Sequence, residues 1–279
     1  MFDFLEYGFN QRALIAAALI GFSNGALGAL IVLRKNALVV SALAHALLPG
    51  IALGILVFGA LNPFVGFVGA LFGTLVVGLS TVYVSRIALL DHQTSLSVLY
   101  TTAFAAGLLM LEHIPSFVGL EGWLFGNILG LRNTDLWISY FVSMSILLLL
   151  FHWRRGWILY LFEADIAASM GVPVRRMNYL LTLMMVLGLV TSLQAVGSVL
   201  SAALFITPAA IVLQLARSPR TLIWGSGFVG CSAATCAIFL GNWYNLRPGA
   251  VIILLLGLMF PVSLGLKHLR EGLIASNKK

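Results

Sequence analysis

The chain has 279 residues, 61% of them hydrophobic and only 9% charged, with a mean hydropathy of +1.04. A soluble domain carries about 25% charged residues, so the composition excludes an ordinary water-exposed globule, and continuous, non-alternating apolar runs argue against a β-barrel. The net charge of +7 does not require nucleic acid, because Lys and Arg gather in the cytoplasmic loops of membrane proteins.

Apolar runs between charges predict membrane-spanning helices at 11–33, 37–59, 62–84, 94–112, 134–152, 177–193, 196–216, 221–241 and 249–266. A span needs about 20 apolar residues. The expected fold is therefore an all-α polytopic membrane protein of 8–9 transmembrane helices, a single transmembrane domain over residues 1–279. The first run starts near Gln11 and is too long for a cleaved signal peptide. The break near Gln194–Gly197 separates either two crossings or the arms of a re-entrant hairpin.

The second run contains Ser41-Ala42-Leu43-Ala44-His45-Ala46-Leu47-Leu48-Pro49-Gly50. An ionisable side chain at such depth faces a bundle interior, a cavity or a pathway by default. Ser41 and His45 are four apart and share a helical face. Pro49 has no N–H, so the His45 carbonyl loses its helical donor. The face thus offers an imidazole, a hydroxyl and a freed carbonyl. Imidazole suits zinc, manganese or iron. Three readings of His45 stand open: a transient metal contact or gate, a packing histidine, or a proton relay. Gly50 and Gly54 allow close helix approach.

Alternating the spans with the N-terminus outside places Arg34, Lys35, Arg86, Arg154, Arg155, Arg175, Arg176, Arg217, Arg220, Lys267, Arg270, Lys278 and Lys279 inside. Only Arg12, Arg132 and Arg247 of the 16 basic residues fall outside. That asymmetry favours an odd number of crossings and a cytoplasmic C-terminus. Every carboxylate falls in a loop or at a span end. Coupled carriers often rely on buried carboxylates, so the energy for transport is expected from elsewhere. No G-x-x-x-x-G-K-[ST] phosphate loop is present. Glu112, His113 and Glu121 lie outside, and read as scattered solvated groups more readily than as a metal cluster. Trp123, Trp137 and Trp243 fall near outer boundaries and Trp153 and Trp157 near inner ones, as an aromatic belt predicts. Cys231 and Cys236 read as small core residues. Pro208, inside a span, is expected to kink it where it lines a path.

The longest interruption, Arg154 to Arg176, contains a short predicted helix over Glu163–Pro173. Glu163 and Asp165 sit in its first turn, favourable to the helix dipole. Gly171 and Pro173 end it. Ile166, Ala167 and Met170 share a face. That face either lies on the protein's own loops or docks into a groove on a separate protein.

These stretches resemble a family, the membrane permease subunits of ABC importers for zinc, manganese and iron. Glu163–Val174 is similar to the family's coupling helix. Leu33-Arg34-Lys35-Asn36-Ala37-Leu38 with His45–Leu53 resembles its second-span signature. Phe125-Gly126-Asn127-Ile128-Leu129-Gly130 resembles its extracytoplasmic segment. Gln194-Ala195-Val196-Gly197 and Ala203–Ala210 resemble its late-span signature. The resemblance implies a multi-pass protein of the bacterial cytoplasmic (inner) membrane. Implied partners are cytoplasmic ABC ATPase subunits, an extracytoplasmic metal-binding protein and a second permease subunit, identical or different. ATP would be used by the ATPase, the divalent metal would be cargo, and this chain would bind no cofactor and catalyse no bond chemistry. In the family an aspartate usually precedes the histidine by four; here that position is Ser41. The usual serine before it is Ala44. The acidic residue expected after the third span is replaced by His92-Gln93-Thr94. The alternatives are a stand-alone secondary carrier, or a non-transporting membrane scaffold derived from such a permease.

Overall fold

The computed structural model describes residues 8–59, 63–111, 126, 128–162 and 164–276. The described helices are α1 (Gly8–Leu33), α2 (Ala37–His45), α3 (Leu47–Phe58), α4 (Pro63–Ile87), α5 (His92–Leu111), α6 (Asn133–His152), α7 (Arg154–Phe162), α8 (Ala164–Ser169), α9 (Val174–Val196), α10 (Ser198–Leu213), α11 (Pro219–Tyr244) and α12 (Pro248–Ser276), with a 3₁₀ turn at Ile128–Gly130. No strand occurs among the described residues. Eight helical segments are long and apolar enough to span a bilayer, with α2 and α3 together forming one of them, and α10 is a shorter apolar helix.

The centre of the bundle is α1, packed against α11, α10, α6 and α9. Lipid is as apolar as leucine, so helices associate through close packing and interhelical hydrogen bonds. Both devices are present. A Cβ on Gly21 would stand 2.5 Å from the Gly230 carbonyl oxygen, and one on Gly25 would stand 2.3 Å from that of Ser226. The backbones of α1 and α11 therefore touch directly. Some buried polar side chains also bond from one helix to another. The Ser23 hydroxyl donates to Ser143 at 3.0 Å, and the Asn24 amide donates to Ser192, whose hydroxyl donates to the Gly188 carbonyl at 2.6 Å.

The predicted break near Gln194–Gly197 is a single residue. Gly197 joins α9 to α10 at φ 92 and ψ 164, a conformation open essentially to glycine alone. Gly126 packs onto this turn, since a Cβ there would lie 2.4 Å from the Gly197 nitrogen. The second span is interrupted too. Its helix stops at His45, turns at Ala46 and resumes at Leu47. Pro49 explains the position, because it withholds the N–H that the His45 carbonyl would otherwise accept.

Several basic residues tie helix ends together. At one end, Gln93 of α5 donates to the Lys35 carbonyl at 3.4 Å and the Arg34 guanidinium lies 3.9 Å from the Tyr160 ring centre. In the second half of the chain, Lys267 donates to Gln214 at 3.4 Å and Arg270 to the Leu215 carbonyl at 3.2 Å. Among the three residues assigned to the opposite side, Arg12 donates to Asn133 at 2.9 Å, joining the starts of α1 and α6.

The tryptophans expected at membrane boundaries differ in exposure. Trp137 and Trp243 are 58% and 73% exposed, but Trp157 is only 1% exposed. Its indole N–H reaches the Leu149 carbonyl at 3.2 Å, which is how a buried tryptophan satisfies its polar handle. It is a core anchor for α7. Trp123 lies outside the described residues. Cys231 is half-buried and Cys236 exposed, so Cys236 is not the core residue its apolar run suggested.

Candidate functional site

Two helices make the site. Along α2, Ser41 and His45 project from one face, and along α5, Gln93, Ser97 and Tyr100 recur at helical spacing. Together with Leu38, Val39, Ala42 and Leu96 they line one cavity of about 260 Å³. The tertiary fold thus joins Ser41 and His45, as their spacing implied, and adds three polar groups from another span. Their i, i+4, i+7 spacing was the available signal, but His92, Thr94, Ser95, Thr101 and Thr102 on the same helix obscure it.

His45 is exposed on the outer side of the chain, whereas Leu43 and Ala44 beside it are buried. Its ring lies 6.4 Å from Tyr100, roughly parallel, and 6.1 Å from Phe104, edge-on. Both aromatics belong to α5, so the imidazole is flanked without being enclosed. Every polar group lining the cavity is formally neutral apart from the titratable imidazole. No cluster of three His, Cys, Asp or Glu exists among the described residues. Neutral nitrogen and oxygen donors of this kind offer a transition metal contacts without holding it tightly. That suits passage more than storage.

The α5 wall starts with a cap. Asp91 accepts from the backbone N–H groups of Gln93 and Thr94, both at 3.0 Å, and from the Thr94 hydroxyl. The Thr94 hydroxyl, then its N–H, hold the Asp91 carboxyl below its ordinary range. An acid therefore does precede this helix, one residue before His92-Gln93-Thr94, and it serves the backbone. Gln93 is the member of that trio that faces the cavity.

Neither proline lines the His45 cavity. Pro49 borders a second, apolar cavity of about 200 Å³ between α3, α4 and α5. It also packs against α5 where Gly107 leaves room: a Cβ there would lie 2.6 Å from the Pro49 Cα. Pro208 sits buried inside α10, which continues as helix to Leu213.

The short helix spans Ala164–Ser169 as α8 among the described residues. Glu163 lies outside the described residues, as does the side chain of Asp165. Gly171, at φ +81, ends α8 with the Val172 N–H donating to the Ala167 carbonyl at 2.9 Å and the Gly171 N–H to that of Ala168 at 3.1 Å. This is a Schellman stop. Pro173 follows as the cap of α9. The predicted common face is divided. Ala167 is 0% exposed, turned onto the protein itself, while Ile166 and Met170 are 52% and 63% exposed. Ala167 thus packs on the protein itself, while Ile166 and Met170 stay uncovered by this chain.

The sequence model of the ABC 3 transport family matches residues 6–267. The manganese import system permease protein ScaB of Streptococcus gordonii is 34% identical over 258 residues, covering 92% of this chain and 91% of that one. The chelated iron transport system membrane protein YfeD of Yersinia pestis is 30% identical over 268 residues, covering 95% and 87%. Among solved structures, PsaBC from Streptococcus pneumoniae in complex with Fab superposes with a TM-score of 0.81 at 33% identity, covering 94% of this chain and 93% of that one. With likeness extending across nearly all its length, in sequence and in fold, the chain belongs to the ABC 3 transport family.

Proposed function

We propose that the chain is the membrane permease subunit of an ATP-driven importer for a divalent metal ion, manganese, iron or zinc. The observation that carries this is the end-to-end likeness to permeases named for manganese and iron transport. In this reading Ser41 and His45 contact the cargo on its way, assisted by Gln93, Ser97 and Tyr100. Contacts must be weak enough to release the ion, and a set of neutral donors meets that need. The exposed side of His45 faces a second permease subunit, which completes the path. An extracytoplasmic binding protein delivers metal at the end bearing Arg12 and Asn133. ATPase subunits engage the cytoplasmic end through Ile166 and Met170, with Glu163, Asp165, Gly171 and Pro173 shaping the docking helix. Hydrolysis belongs to those subunits. The membrane is the bacterial cytoplasmic membrane, with the N-terminus outside.

The test is uptake of a mixture of manganese, iron and zinc into proteoliposomes holding the chain with its native ATPase and binding protein, read by elemental analysis. Uptake that depends on ATP supports the assignment; uptake without nucleotide would indicate a secondary carrier. No uptake of any metal with all partners present would leave a scaffold. His45→Ala is expected to lower the rate or alter the metal ratio, and an unchanged rate and ratio would return His45 to packing.

A further inference from the structure

We infer that Arg34 and Tyr160 form the joint through which movement of the docking segment reaches the wall of the His45 cavity. The inference rests on the permease reading above and adds two positioning residues to it.

The first part of the argument concerns α7. Tyr160 and Trp157 are each 1% exposed, and their rings meet edge-on at 5.9 Å. The Tyr160 hydroxyl donates to Asn178 of α9, and the Trp157 indole to Leu149 of α6. So α7 is held as a wedge between two spans, and α8 packs directly against it. Interiors packed at this density transmit displacement instead of absorbing it. A push on α8 is therefore passed to whatever α7 holds.

What α7 holds is Arg34, whose guanidinium carbon lies 3.9 Å from the Tyr160 ring centre. A partly desolvated cation over a ring is a directional and comparatively strong contact. Arg34 opens the three-residue link to α2, and that link is stiff. Lys35 adopts φ +57, and the N–H groups of Lys35 and Asn36 donate to the carbonyls of Val32 and Ile31, both at 3.0 Å. The opposite cavity wall is tied to the same link by Gln93, through the Lys35 carbonyl.

The far end of α2 is the complement. Its nine residues carry Ser41 and His45, and it stops at the break beside Ala46. A short rigid helix gripped at its start and hinged at its end is a lever. Moving Arg34 moves Ser41 and His45, while α3 beyond the hinge stays packed on α4.

The test uses the complete transporter in proteoliposomes and reads metal imported per ATP hydrolysed. Arg34→Gln is expected to lower that ratio about fivefold or more, the scale of an allosteric coupling, with ATPase binding retained. Arg34→Lys, which keeps a cation over the ring, restores most of it, and Tyr160→Phe, which keeps the ring but loses the bond to Asn178, is expected to lose less than Arg34→Gln. Arg34→Gln combined with Tyr160→Leu is expected to be no worse than the poorer single variant, as a shared contact requires. An unchanged ratio in Arg34→Gln, or losses that multiply in the double variant, overturns the joint. Should Tyr160→Leu not fold, the Arg34→Gln and Arg34→Lys pair decides alone. If the wild type imports no metal with all partners, the permease reading falls and the joint with it; wild-type import with an unchanged Arg34→Gln ratio sinks the joint only.

Discussion

Substituting Gly28 by alanine tests the closest helix contact in the bundle. A Cβ there would stand 1.8 Å from the Phe205 carbonyl oxygen and 2.8 Å from its carbon, where ordinary contact begins near 3.4 Å. To bring the 1.8 Å approach to the oxygen out to 3.4 Å, the α1 and α10 backbones must part by about 1.6 Å. Neither side gives easily. Gly28 and Phe205 are both buried, and the Phe205 ring fills the space over Gly188 of α9, where a Cβ would be 2.7 Å from the ring tip. Overpacking a rigid core costs about 1–3 kcal/mol, and backbone on both sides puts this case at the upper end. At about 2–4 °C per kcal/mol for a large domain, Gly28→Ala is expected to lower the melting temperature by about 6–12 °C. The assay is thermal unfolding of the purified protein in detergent. Gly257→Ala and Gly265→Ala on α12 are the controls, because a Cβ at either meets nothing within 4 Å. There the better helix propensity of alanine is worth about 1 kcal/mol in the stabilising direction. If Gly28→Ala melts with these controls, the close approach of α1 and α10 is refuted.

Three further outcomes follow from the same reasoning. Ile166→Asp and Met170→Asp, at the exposed positions of α8, are expected to release the ATPase in a pull-down without changing the melting temperature. Ala167→Asp, by contrast, buries a carboxylate and should lower that temperature itself; equal behaviour of the three would show that α8 has no inner side. Trp157→Phe keeps the ring but loses the bond to the Leu149 carbonyl, so it should cost about 1 kcal/mol in thermal or denaturant unfolding, and no loss would show that bond to be idle. Asp91 has its carboxyl pKa depressed below the ordinary 3.8 by the Thr94 hydroxyl and N–H. A depressed carboxyl stabilises the fold above its unfolded value, and the contribution disappears as pH falls through the lower folded value. The stability gap between wild type and Asp91→Ala should therefore be constant from neutral pH down to about 5 and close below 4; a gap independent of pH would exclude the carboxylate as its source.

Much of the site was readable because helical spacing is local. Ser41, His45 and Pro49 share a short stretch, and the proline marked the His45 carbonyl as unpaired, though the break at Ala46 itself appeared only in the structure. Gly171 marked the end of α8 for the same kind of reason, a backbone angle that glycine tolerates. The partners of His45 were harder. Gln93, Ser97 and Tyr100 lie on another span, and only the packing of α5 against α2 brings them to the imidazole. Nor did spacing reveal that Ala167 turns inward while Ile166 turns out, since neighbours one residue apart differ by about 100° around a helix.

The sequence by itself determined where the chain is helical and apolar, and how its basic residues are distributed between those runs. Transfer into a bilayer is costed residue by residue along the chain, so runs of apolar side chains report it directly. Only the tertiary structure decided which side of each helix meets protein and which meets lipid. Both surroundings are apolar, and leucine, phenylalanine and tryptophan suit either. That is why Trp157 is an anchor in the core while Trp137 is exposed, and why a tyrosine in the loop-like Arg154–Arg176 stretch proves to be a partner of Arg34.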